Sequence, residues 1–193
     1  MKQTSAFITI IGRPNVGKSS LMNRILGQKV AIVSDKPQTT RTKIMGIKTE
    51  NENQIVFIDT PGFHKARNEL DKNMNKAVSD GMTDVDAAVL VVEANPKFKF
   101  DGESLPPAEV KLIEDLKRRK MKAVLVINKI DLLEKKDELF SLIMAYTKAF
   151  DFEAVVPLSA RTGDGVEILM QEIKKFSKPS PHFFDSDDVT DQP

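Results

Sequence analysis

The chain has 193 residues, 40% hydrophobic and 30% charged, enough for one α/β domain with a full core and a short tail. Its 29 Lys and Arg against 28 Asp and Glu leave a net charge of +1, so no global basic footprint marks it as a nucleic-acid binder. With no cysteine it holds no disulfide, cysteine-based zinc site or thiol nucleophile, and with no signal peptide or bilayer-length apolar run it reads as soluble and cytoplasmic.

Residues 6–11 form an apolar run with no polar face, as a buried central parallel strand requires. Gly12-Arg13-Pro14-Asn15-Val16-Gly17-Lys18-Ser19 follows and reads G-x-x-x-x-G-K-S, a phosphate-binding loop. The glycines let the backbone bend and bring its N–H groups close to phosphate oxygens. Ser20 to Leu26 has helical spacing, and a helix there aims its positive N-terminal end at the same anion. Lys18 is placed to reach the β- and γ-phosphates, and the Ser19 hydroxyl to ligate Mg²⁺. Gly27 ends the helix.

Residues 29–43 form a polar segment interrupted by Val30-Ala31-Ile32-Val33. Strands over 44–49 and 54–59, joined by a turn at 51–53, predict a hairpin. Asp59-Thr60-Pro61-Gly62 sits at the end of its second strand. An Asp there holds Mg²⁺ directly or through water, and Gly62 offers its N–H to the γ-phosphate and swings when that group leaves. Residues 63–80 are charged and broken in pattern, with Met74, Val78 and Met82 as weak helical spacing, so a loop and then a helix are expected.

A second buried strand is expected over 87–92, a loose loop over 95–107, and an amphipathic helix over 108–119 with Val110, Leu112, Ile113 and Leu116 on its apolar side. A strand over 123–127 delivers Asn128-Lys129-Ile130-Asp131, followed by a helix over 135–150. The last strand, over 154–158, delivers Ser159-Ala160. Asp164 is expected to cap a helix carrying Val166, Ile168, Leu169, Ile173 and Phe176. Residues 177–193, with three prolines, four aspartates and the pair Phe183-Phe184, read as a linker or docking tail. The alternation predicts an α/β phosphate-loop fold in three layers: a mostly parallel six-stranded sheet with one antiparallel strand, and its ligand loops at the strands' carboxyl ends.

Asn128-Lys129-Ile130-Asp131 decides the base. Guanine presents two adjacent donors that match one carboxylate, and adenine does not, so binding adenine would leave Asp131 desolvated and unpaired. Asn128 is expected to brace the phosphate loop and the Lys129 stem to lie over the base. The Ala160 N–H is a candidate partner for guanine O6, although Ser159-Ala160 is a weak signal alone. An ATPase of the wider phosphate-loop class remains the competing reading, and Asp131 argues against it.

These motifs, with Gln38-Thr39-Thr40-Arg41, Asp59-Thr60-Pro61-Gly62-Phe63 and Ser159-Ala160-Arg161, closely resemble the Era family of translation-factor-class GTPases, from about Thr4 to Phe176. Thr42 after Arg41, where an Asp would otherwise follow, tilts the match toward Era over its relatives Der and MnmE. The resemblance implies that GTP or GDP is held, with Mg²⁺, by Gly12, Arg13, Pro14, Asn15, Val16, Gly17, Lys18, Ser19, Ser20, Asp59, Thr60, Pro61, Gly62, Asn128, Lys129, Asp131, Ser159, Ala160 and Arg161. Thr40 completes the metal shell with Ser19 and Asp59, with Thr39 as the competing choice. It also implies a role in small-subunit assembly, with 16S rRNA and the 30S subunit bound through a C-terminal KH domain. No such domain is expected in the sequence given, which reads as either a truncated or a natural short form, and the abrupt end after Asp188-Val189-Thr190-Asp191-Gln192-Pro193 favours truncation. Peripheral membrane association is a further implication.

Phe63 stands where a water-positioning Gln occurs in other GTPases, and a phenyl ring cannot orient water by hydrogen bonding. In related GTPases an Asn at the position of Asn15 helps bind K⁺ near the phosphates. Slow, K⁺-stimulated hydrolysis is therefore expected, with Lys18, Thr40, Gly62 and Asn15 as the catalytic set. A pure nucleotide-binding module with negligible turnover is the alternative.

Overall fold

The computed structural model describes residues 2–27, 43–59, 85–94 and 105–184. The expectations placed on Gln38, Thr39, Thr40, Arg41, Thr60, Pro61, Gly62, Phe63 and the weak spacing at Met74, Val78 and Met82 lie outside these residues.

The elements run β1 (Thr4–Gly12), α1 (Lys18–Leu26), β2 (Lys43–Glu50), β3 (Asn53–Asp59), β4 (Ala87–Glu93), α2 (Pro107–Arg118), β5 (Ala123–Asn128), α3 (Lys136–Ala149), β6 (Ala154–Pro157), α4 (Val166–Lys174) and β7 (Lys178–Pro179). The sheet order is β2-β3-β1-β4-β5-β6. β3, β1, β4, β5 and β6 are parallel, and β2 lies antiparallel on the β3 edge. The six expected strands are all there, and a seventh is added. β7 pairs antiparallel with Thr4 and Ser5. It fits there because β4 joins β1 only from Ile8 onward, which leaves the first residues of β1 open on that side.

The central strands β4 and β5, and β1 from Ala6 onward, are mainly apolar because both faces of the sheet are covered there. On β4, Val89 and Val91 pack into one layer with Leu21 and Ile25 of α1 and Leu169 and Ile173 of α4. Ala88, Leu90 and Val92 pack into the other with Leu112, Ile113 and Leu116 of α2 and Leu142 and Tyr146 of α3. Each such aliphatic side chain, taken fully from water, contributes about 1.5–3 kcal/mol.

Two local expectations are corrected. Asp164 does not cap α4: its carboxylate accepts from the Thr162 hydroxyl at 3.1 Å, and the cap position is Gly165 at φ 81. The chain there passes so close to β6 that a Cβ on Gly165 would stand 2.5 Å from the Pro157 carbonyl oxygen. Ile168 is 56% exposed, because the buried stripe of α4 runs through Val166, Leu169, Met170 and Ile173. Among the described residues, no helix is long and apolar enough to cross a membrane.

The segment after α4 folds back over the amino end of the sheet. The Gln54 side chain, 1% exposed, accepts from the N–H groups of Phe183 (2.9 Å) and Phe184 (3.2 Å) and donates to the Phe184 carbonyl (2.9 Å). The Phe183 ring meets Phe7 edge-on at 5.0 Å.

Candidate nucleotide-binding site

β1 ends at Gly12, opposite Val91 of β4, and α1 begins at Lys18, so residues 13–17 must turn the chain sharply. Two of them use left-handed backbone: Asn15 at φ 65 and Gly17 at φ 99. Asn is among the residues that tolerate this region, and Gly17 has no alternative. A Cβ on Gly17 would lie 2.2 Å from Asn128 Nδ2. Val16 is buried under the loop, while Pro14, Asn15, Ser19 and Ser20 are exposed. No side chain caps α1 by a hydrogen bond and its first turn holds no acidic residue, so the helix brings no negative charge of its own to its positive end. Lys18 Nζ donates to the Gly12 and Arg13 carbonyls, both at 2.7 Å, and ties the loop's start to its end.

Asn128, the last residue of β5 and 2% exposed, joins two loops. Its Nδ2 donates to the Val16 carbonyl at 2.9 Å, and its Oδ1 accepts the Ala160 N–H at 3.0 Å. Bracing of the phosphate loop by Asn128 is therefore present. The Ala160 N–H, expected to be open toward guanine O6, is engaged by Asn128. Lys129 follows at φ 64, and its Nζ donates to the Asn15 carbonyl at 2.8 Å and to Glu93 at 2.7 Å.

Asp131 is gripped from two sides. Ser159 Oγ donates to its Oδ1 at 2.7 Å, and Arg161 Nε lies 3.2 Å from its Oδ2. Its side chain is 15% exposed on a residue that is exposed as a whole, so the carboxylate is held in place yet reachable. A cavity of about 440 Å³ opens here, lined by Gly17, Ser20, Asn128, Lys129, Asp131, Leu132, Ala160 and Arg161. The phosphate-loop and base-recognition motifs thus share one concave site, although 110 residues separate Lys18 from Asn128 in sequence. Gly17 stands on the cavity wall, where any side chain would collide with the Asn128 amide. The oxygen donors expected for Mg²⁺ suit that hard ion. Of these, the Ser19 side chain is described, in the first turn of α1.

The 50S ribosome-binding GTPase family matches residues 7–129. The chain belongs to this GTPase family. It is 44% identical over 189 residues to the GTPase Era of Clostridioides difficile, covering 98% of this chain and 61% of that protein. The fold is similar to an Aquifex aeolicus Era variant bound to GDP and AlF₄⁻ (TM-score 0.74, 31% identity, 100% of this chain and 63% of that one). It is similar also to an Era in complex with MgGDPNP and nucleotides 1506–1542 of 16S ribosomal RNA (TM-score 0.75, 31% identity, 99% and 63%). The chain thus spans about three fifths of the length of these relatives.

For this GTPase domain, sequence reasoning missed four polar residues around the site. Arg24 of α1 donates through Nε to the Ala160 carbonyl at 3.0 Å and through a second nitrogen to the Arg161 carbonyl, pinning the loop that orients Asp131. Glu93 closes β4 and pairs with Lys129 at 2.7 Å and with Arg13 at 3.7 Å. Glu109 of α2 is fully buried, accepts from Arg13 Nε at 2.7 Å, and is hydrogen-bonded by the Tyr146 hydroxyl. Burial, and then the Glu109 charge, push the Tyr146 phenol well above its usual range, so it stays protonated and donates. Glu109 did carry a signal: it lies three and four residues before Leu112 and Ile113, within the apolar stripe of α2.

Proposed function

We propose that this chain is a guanine-nucleotide switch that hydrolyses GTP. The observation carrying this reading is the Asp131 carboxylate, held by Ser159 and Arg161 on the wall of a cavity that also reaches Gly17 of the phosphate loop. GTP, when bound, would supply the phosphoanhydride to be cleaved, and Mg²⁺ would supply positive charge beside its phosphate oxygens. The backbone of residues 12–17 and the end of α1 grip the phosphates, and Lys18 adds a positive charge to the same grip. Asp131 accepts both donors of the guanine edge, Asn128 keeps the two loops in register, and the Lys129 stem covers the base. Ser19, Thr40 and Asp59 are the proposed Mg²⁺ ligands. Thr40 and Gly62 are the residues by which the segments around 29–43 and 62–76 sense the γ-phosphate and relax after hydrolysis. Calorimetry checks the binding half. GDP should bind about 10³-fold or more tightly than ADP, since a carboxylate left unmet rejects the wrong base. Equal affinity would refute the reading.

The finer reading is slow hydrolysis stimulated by K⁺. Its support is twofold: the sequence carries Phe63, which cannot orient water, after Gly62, and Asn15 lies exposed on the phosphate loop at φ 65. Phosphate release in a single turnover should be faster in K⁺ than in Na⁺. No release in either salt would favour the second reading, a binding module with negligible turnover, which Phe63 also supports. We further propose that residues 1–176 are the nucleotide-binding domain and that residues 177–193, the first of which dock back on it through β7 and Gln54, lead toward an RNA-binding domain. A role with 16S rRNA and the small subunit is supported by the Era relatives and by the rRNA complex of one of them.

A further inference from the structure

Beside the phosphate loop runs a chain of charges that begins outside the nucleotide motifs, at Tyr146 and Glu109, and ends within them at Arg13 and Lys129. It starts at Tyr146 of α3, whose hydroxyl donates to Glu109. Glu109, with no exposed side-chain surface, holds Arg13 Nε at 2.7 Å. Arg13 also faces Glu93 at 3.7 Å. Glu93 in turn holds Lys129 Nζ at 2.7 Å, and that nitrogen donates to the Asn15 carbonyl at 2.8 Å.

A buried carboxylate of this kind is costly to desolvate and weak evidence for stability in itself. A leucine at 109 would extend the apolar stripe of Leu112, Ile113 and Leu116 on α2, but it would leave the Tyr146 hydroxyl and the Arg13 guanidinium without their shared acceptor. What Glu109 does specifically is fix the direction of Arg13. Arg13 is the first residue after the strand, and its carbonyl is one of the two that Lys18 uses. Glu93 adds a second constraint, since one carboxylate serves both the phosphate loop and the residue that covers the base.

We propose that Glu109 is a positioning residue for the nucleotide site, acting through Arg13, and that Glu93 links Arg13 to Lys129 so that phosphate grip and base cover hold or release together. The inference rests on the nucleotide-binding reading above. Tyr146 locks Glu109, Glu109 locks Arg13, and the loop carbonyls stay aimed at Lys18.

The test uses the intact chain loaded with GDP and Mg²⁺, as the native sequence, E109Q, R13Q and the double variant. Two quantities are followed: the rate at which a fluorescent GDP analogue leaves, and the ³¹P resonance of the bound β-phosphate. Each single variant should release GDP about tenfold faster, the effect of losing one charge-assisted hydrogen bond's worth of positioning. The double variant should be no faster than R13Q alone, because both changes cut the same arm. The β-phosphate resonance should move in E109Q. A lower melting temperature with unchanged release and an unmoved resonance would make Glu109 merely structural and overturn the proposal. So would single effects that multiply in the double variant. If E109Q fails to fold, Tyr146→Phe deletes only the hydroxyl and should speed release about threefold, a fraction of one hydrogen bond; native-like release would overturn the proposal. If the native chain binds no GDP, the nucleotide reading itself fails and takes this inference with it, an outcome distinct from the others.

Discussion

At the carboxyl end of the sheet the backbone carries much of the specificity. Asn15, Gly17 and Lys129 all have positive φ, and Asn128 ties two loops together through the Val16 carbonyl and the Ala160 N–H. At the amino end the turn residues Asn51 and Lys120 are also left-handed, at φ 53 and φ 51, but the joints to the segment after α4 are made by side chains. Gln54 clasps Phe183 and Phe184, Asn53 donates to Ser177 at 2.7 Å, and Lys174 and Lys178 pair with Glu50 and Asp86. The contrast follows from what each end faces. A phosphate cradle must present N–H groups, and a side chain in the way would occupy the space the anion needs. A docked peptide segment needs only its backbone groups satisfied, and one buried amide does that.

Gly17→Ala should break the first pattern most severely. The new methyl would stand 2.2 Å from Asn128 Nδ2 on a residue at φ 99, so loop and brace must separate. GDP affinity measured by calorimetry should fall by about 100-fold or more, the equivalent of about 3 kcal/mol. Next in size, Gln54→Ala at the other end should leave GDP affinity within about twofold of native yet lower stability by about 1–3 kcal/mol, since three backbone groups lose their partner. Hydrogen exchange at Phe183 and Phe184 should quicken in step. A large loss of GDP affinity in this variant would show that the two ends are not separable.

The smallest effect is electrostatic. The hydrogen bond from Lys174 holds the Glu50 carboxyl below its usual range, and both side chains remain more than a third exposed. A depressed carboxyl contributes stability above the ordinary Glu value near pH 4.3 and loses it as pH falls through the lower folded value. Glu50→Gln should therefore lower the melting temperature by about 1 °C at pH 7, consistent with a screened surface pair. The difference should shrink as pH falls below the ordinary Glu value and vanish below the lowered folded one, and a difference that grew in acid would reverse the assignment.

Much of this was legible in the sequence because the carboxyl end is written in contiguous motifs. Gly12 to Ser19 and Asn128 to Asp131 each follow an apolar run, and a parallel strand delivers its last residue to the same rim. The supporting residues were not legible for the opposite reason. Arg24, Glu93 and Glu109 act across 136, 36 and 96 residues of chain, and no local pattern records their partners. Glu109 stood out only as an acid within an apolar stripe. Gln54, inside a strand that otherwise reads as core, gave no hint that it clasps a segment 130 residues away. Asp164 was misjudged because a cap residue is read from its type, whereas the gap between Gly165 and β6 is set by packing.

The account turns on whether the Asp131 carboxylate reads the base, and the nucleotide preference of Asp131→Asn asks this directly. An amide offers one acceptor and one donor where the carboxylate offers two acceptors. Guanosine diphosphate should then lose about 100-fold or more in affinity, and xanthosine diphosphate, whose edge replaces a donor by an acceptor, should gain. A variant that still bound guanosine diphosphate as tightly as the native chain, and xanthosine diphosphate no better, would contradict the account.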